Sequence, residues 1–139
     1  MANALYPKWK EARLQGTANA ALDGSGTTGL YAIIVDTGTY TYSAAHEFYS
    51  SLSGLAGTTE QEIGTKTYTN GVLDGADVTL PSVTAGATCE AIVLFIKNAG
   101  ASTTWRLVAF LDTGVTGLPV TPNGGNVGIS WNASGIFAL

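Results

Sequence analysis

"TCEAIVLFIKN" at residues 88–98 and "TWRLVAFLDT" at residues 104–113 decide how the rest of the chain must be read. Each holds an unbroken apolar run with no helical or alternating period, bounded by polar residues. Short runs of that kind read as strands buried on both faces. Only "AGAST", residues 99–103, separates the two, too little for a crossover, so they are expected to pair antiparallel at the centre of a sheet. "LYAIIVDTGTYTY", residues 30–42, reads as a third strand, apolar on both faces as far as Val35.

Outward from this centre, "LYPKWKEARLQG" (5–16) predicts a short N-terminal helix, with Pro7 in its first turn, Leu5, Trp9 and Arg13 spaced by four, and Gly16 as its stop. "SAAHEFYSSLSG" (43–54) predicts a second helix: Ser43 as N-cap, Ala45, Phe48 and Leu52 at helical spacing, Gly54 as terminator. Between "TKTYT" and "VLDGADVTL" the Asn70-Gly71 pair predicts a hairpin, and Asp74-Gly75 a further bend. The close, "GLPVTPNGGNVGISWNASGIFAL" (117–139), reads as a final hairpin about Pro122–Gly125 that runs into an uncharged apolar end.

The composition agrees. Charged residues make up 12% of the 139, about half the usual ~25% share, while 45% are hydrophobic and 18 are Gly. The expected fold is mainly β, an antiparallel β-sandwich or jelly roll with one or two short helices, the N-terminal one and one near 43–53. The chain is expected to form a single β-rich domain over 1–139. A net charge of −4 argues against neutralising nucleic-acid phosphates. No run is long enough to cross a bilayer as a helix. Lys8, Lys10 and Arg13 put half of the six cations near the start, a basic helix on an acidic body that can be either a solvated face or a docking face. The lone Cys89 cannot close a disulfide within the chain and reads as a small buried hydrophobe. The charged, aromatic opening does not read as a secretory signal, so synthesis in a cytoplasm is expected.

Several stretches resemble reactive motifs, and each has a plainer reading. D-T-G occurs at Asp36-Thr37-Gly38 and Asp112-Thr113-Gly114, each directly after an apolar strand. Paired carboxylates about 3 Å apart could share a proton and activate water, but Asp-Thr-Gly is also good turn chemistry, with Asp accepting backbone N–H bonds. The turn reading is preferred. His46 is the only histidine, which leaves no three-ligand metal set of His type and no second base for a nucleophile. "GSGTTG" (24–29) lacks the lysine of a phosphate loop and precedes a strand. "NAS" (132–134) matches a glycosylation acceptor but reads as a turn. No catalytic residue, cofactor or metal is expected. "GTYTYS" sets Tyr40 and Tyr42 on one side of an extended segment, either as packing or subunit interface or as a sugar platform.

"MANALYPKWKEARLQG" (1–16), "VDTGTYTYSAAHEF" (35–48) and "TGLPVTPNGGNVGISWNASGIFAL" (116–139) together resemble a family of small virion structural proteins of tailed bacteriophages, related to head decoration or cement proteins. The resemblance spans nearly the whole chain. One stretch, "LAGTTEQEIGTK" (55–66), is acidic and Gly-rich where those relatives carry a basic stretch. The resemblance implies a β-sandwich or jelly roll on the capsid surface of the virion, without catalysis, whose partners are the major capsid protein and further copies of itself. Trp9, Tyr40, Tyr42 and Phe137 are the candidate interface residues. The alternative is a tail or fibre component binding a host receptor or glycan.

Overall fold

The computed structural model describes residues 3–139. In chain order its elements are β1 (Ala4–Leu5), helix α1 (Pro7–Gln15), β2 (Leu30–Val35), β3 (Gln61–Glu62), β4 (Val72–Leu73), β5 (Val78–Leu80), β6 (Ala91–Ile96), β7 (Arg106–Leu111), β8 (Val127–Ile129) and β9 (Phe137–Ala138). Five strands form one antiparallel sheet in the order β1-β7-β6-β2-β3, and two-stranded ladders β4-β9 and β5-β8 flank it. The fold is mainly β and sandwich-like, with one short helix.

β6 and β7 form the expected central antiparallel pair, and every residue of both is buried. β2 pairs along the other side of β6, from Leu30↔Ile96 to Val35↔Ala91. Register assigns the faces. Ile33, Val93 and Phe110 share one row, as do Tyr31 and Phe95, and Tyr40, Tyr42 and Tyr49 pack on this face against Phe110 and Phe95. α1 packs against β7, and Trp9 donates from Nε1 to Ala20 O at 2.9 Å, which holds the following loop against the helix. Pro7 opens α1, and Gly16 ends it in the left-handed region at φ 66°, which glycine adopts without strain.

The second helix expected over 43–53 does not form. Ser43 does start a turn, since its Oγ accepts from Ala45 N and its carbonyl from His46 N, but the chain then runs along the outer edge of β7. Leu107 N donates to Glu47 O at 2.9 Å and Tyr49 N to Trp105 O at 2.7 Å. Backbone groups that a helix would satisfy internally instead cap an open sheet edge, where an unpaired ladder costs more. A single 3-10 turn, Tyr49–Ser51, remains.

Two hairpins also differ from expectation. The Asn70-Gly71 turn is present, closed by reciprocal bonds between Thr67 and Asp74, but its arms go no further: Val72–Leu73 pairs with Phe137–Ala138. The Pro122–Gly125 turn is pinned to Val83, with Gly124 N donating to Val83 O and Val83 N to Gly125 O. Pro119 and Pro122 have no N–H to give a ladder. Val127 and Ile129 accordingly pair with Leu80 and Val78, Val120 bridges Cys89, and only Thr116↔Ser130 links the two arms. The apolar end is half inserted: Ile136 is buried, while Leu139 is 74% exposed.

The double-sided burial sets an expected cost. Leu94→Ala, at a fully buried position of β6, should lower unfolding free energy by about 2–5 kcal/mol. Leu14→Ala, at a site that is 89% exposed, should change it by less than about 0.5 kcal/mol. Urea unfolding of the two variants measures both.

Candidate functional site

β2 and β7 both run antiparallel to β6, so their two D-T-G turns emerge at the same end of the sheet. Two strand spacings separate them, about 10 Å, with the start of β6 between. That is too far for a shared proton. Their hydrogen bonds are those of turns. Asp36 Oδ1 accepts from Gly38 N at 2.8 Å and Oδ2 from Thr39 Oγ1 at 3.1 Å, while Glu90 Oε2 accepts from both Thr37 N and Thr37 Oγ1. In the second turn Asn3 Oδ1 accepts from the backbone N of Asp112 and Thr113, and Asn3 Nδ2 donates to Thr113 O. The triplets lock loops to the sheet, as turn chemistry predicts.

A line of hydrogen bonds joins the start of α1 to the loop that follows β2. Tyr6 Oη lies 2.8 Å from Tyr40 Oη, which lies 2.8 Å from His46 Nδ1. Burial raises the Tyr6 hydroxyl well above the ordinary tyrosine range, and the bond to Tyr40 raises it further. Tyr40 is also raised by burial, but the same bond lowers it. Those opposed effects fit Tyr6 donating to Tyr40. His46 sits in a turn and not in the helix expected over 43–53.

Of the four candidate interface residues, Trp9 is 1% exposed and Tyr40 2%, so both lie inside the core and offer no surface to a partner. Tyr42 and Phe137 are half-buried, Tyr42 tilted against the rings of Tyr6 and Phe110, Phe137 meeting the Trp9 ring edge-on at 5.8 Å. Cys89 is buried, as expected.

The cluster that sequence reasoning missed lies at the opposite end of the sheet from the D-T-G turns. Trp105 stacks on Phe95, their planes 9° apart, and Tyr49 contacts both rings. Lys97 Nζ sits 5.0 Å from the Tyr31 ring centroid and 5.1 Å from that of Trp105, and 2.6 Å from Glu60 Oε1. Tyr31, Tyr49 and Trp105 remain half-buried, so their outer edges reach solvent. Strand parity already places Lys97 on the face of Phe95. Glu60, however, comes from the stretch noted only for its acidity, and nothing local in the sequence brings it there. Nearby, the β7 edge carries Arg106, whose Nη1 pairs with Glu47 Oε1 at 3.1 Å and whose Nε donates to Asn19 O. A shallow groove of about 410 Å³, lined by Asn19, Asp23, Thr28 and Asn98 among others, opens at this same end.

Among the described residues no group of His, Cys, Asp and Glu could hold a metal ion, and no helix is long and apolar enough to cross a membrane. Comparison with known proteins finds no family model, no curated protein and no solved structure that matches the chain.

Burial of protonated groups predicts a one-sided pH dependence. Burial first, then Asp36 and Glu90, pushes the Cys89 thiol from 9.0 up to about 11. Burial first, then Glu60, pushes the Tyr49 hydroxyl from 10.0 up to about 12. Both groups are neutral when protonated and lose their proton later in the folded chain than in the unfolded one. Their stabilisation is therefore complete below the unfolded values and lost as pH rises through the folded ones. The contribution of these two groups to stability in urea should be level from pH 7 to pH 9 and fall between pH 9 and 12. Tyr49→Phe should make the upper part of that fall shallower, and an unchanged slope contradicts the assignment.

Proposed function

We propose that this chain is a structural protein of a tailed-bacteriophage virion, a decoration or cement protein that binds the outer surface of the head without catalysis. Its partner is the major capsid protein, and it is made in the host cytoplasm before joining the capsid surface. The observation that carries this reading is the half-buried ring cluster of Tyr31, Tyr49 and Trp105 about Lys97. Tyrosine and tryptophan dominate the energetics of protein interfaces because they bury large areas with little loss of side-chain freedom. Here they sit on a sheet too well packed to rearrange. The sequence resemblance supports the same reading, as does the engagement of Asp36, Glu90 and His46 in bonds that hold loops.

The mechanism is mass action. A protein that binds only the assembled shell opposes disassembly in proportion to its occupancy. An interface of ordinary size, about 800 Å² per side, suffices for each copy, and repetition over the lattice multiplies the effect through avidity. A second reading, a tail or fibre part that binds a receptor or glycan, is favoured by the groove into which Asn19, Asp23, Thr28 and Asn98 bring polar groups beside Ala21 and Gly24. Many copies per particle indicates the head and a few indicates the tail.

Particles stripped of the chain should fail at lower temperature and under milder osmotic shock than complete ones, and adding the purified chain back should restore both. Stripped particles as robust as complete ones contradict the role. Trp105→Ala, with its fold checked by circular dichroism, should bind stripped heads at least about tenfold more weakly, as expected of an aromatic anchor. Leu55→Ala, at the far groove beside Asp36 and Gly54, should bind as the native chain does.

A further inference from the structure

We infer that the chain pairs with a second copy of itself, through the surface where the end of α1, the loop after it and the C-terminal strand meet. A groove of about 320 Å³ opens there, lined by Arg13, Leu22, Asp23, Tyr68 and Leu139 over the edge of Trp9. Two of the exposed large apolar side chains, Tyr68 at 45% and Leu139 at 74%, line it, and Leu14, at 89%, directly follows Arg13 in α1. Apolar side chains gathered at one place, rimmed by charge, are the composition of an interface rather than of ordinary surface.

Charge identifies the occupant. Arg13 and Asp23 are both exposed and line the same groove, yet among the described residues neither forms a salt bridge. A two-fold interface brings the same patch against itself, so it must be self-complementary. One cation and one anion flanking an apolar centre meet that condition: Arg13 of each copy faces Asp23 of the other, while Tyr68, Leu22 and Leu139 pack between them. The wider distribution points the same way. Lys97 is paired with Glu60, Arg106 with Glu47, and Lys66 donates to the carbonyls of Gly24 and Ile63. Lys8 pairs with Glu11 within α1, which leaves Lys10 and Arg13 facing outward with no ion pair among the described residues, on a chain of net charge −4. A phosphate backbone or an anionic membrane offers no cation for Asp23, whereas the same groove on another copy offers Arg13 to Asp23 and Asp23 to Arg13.

The inference concerns the chain alone and stands whether or not it binds a phage head, so its test uses purified protein without particles. Sedimentation equilibrium over a range of concentrations should show a monomer–dimer equilibrium. Arg13→Asp and Asp23→Arg should each weaken it at least tenfold, and the double variant Arg13→Asp/Asp23→Arg should restore it, because the exchanged charges again face each other. Asp23→Arg leaves α1 untouched, so a loss of pairing in that variant is not a loss of the helix. Leu139→Ser should weaken pairing without changing its dependence on salt. A chain that stays monomeric at the highest concentration reached, single charge changes without effect, or a double variant that fails to recover each overturns the inference.

Discussion

Burial of one sheet on both faces is the constraint from which the rest of this structure follows. β2, β6 and β7 carry apolar side chains up and down, so neither face can be left to water. With one short helix and few residues in other strands, the chain has to cover those faces largely with loops. Loops carry backbone groups that must be paired wherever they are buried. The polar side chains of this protein are therefore drawn into holding its own coverings in place.

That requirement explains where several residues with reactive side chains are engaged. The Asp36 carboxylate closes a turn, Glu90 holds the same turn from the neighbouring strand, and His46 terminates a line of hydroxyls from Tyr6 and Tyr40. Arg106, buried within β7, anchors the two segments that pass its edge, accepting neither freedom nor solvent in exchange. What these bonds leave uncovered is the outer surface. The half-buried aromatic end and the charged, apolar groove beside α1 are where that surface is least like an inert coat.

The central strands were legible because their signal is local: five or six consecutive apolar residues bounded by polar ones have no other satisfactory place in a small β protein. α1 was legible for the same reason, through Pro7 and Gly16. The segment 43–53 was misread because helical spacing of Ala45, Phe48 and Leu52 is a weak local preference, and the open edge of β7 outcompetes it with backbone hydrogen bonds to Glu47 and Tyr49. The terminal hairpin failed similarly. Its turn residues were read correctly, but the partner of Val127–Ile129 is Val78–Leu80, some fifty residues earlier, and no local pattern encodes such a pairing. Trp9 is a core residue and not an interface, and of the alternatives open for Tyr40 the structure bears out packing; parity in loops and short helices does not fix which rings face in. Lys97, Glu60 and Trp105 converge only through tertiary contact.

The proposed role reduces to where the chain sits and how it is held. An electron cryo-microscopy reconstruction of the particle measures this most directly. The account predicts density for the chain at repeated positions on the outer surface of the head, over contacts between capsomers, with the Trp105 end toward the shell. Density confined to the tail, or a head surface bare of the chain, contradicts it.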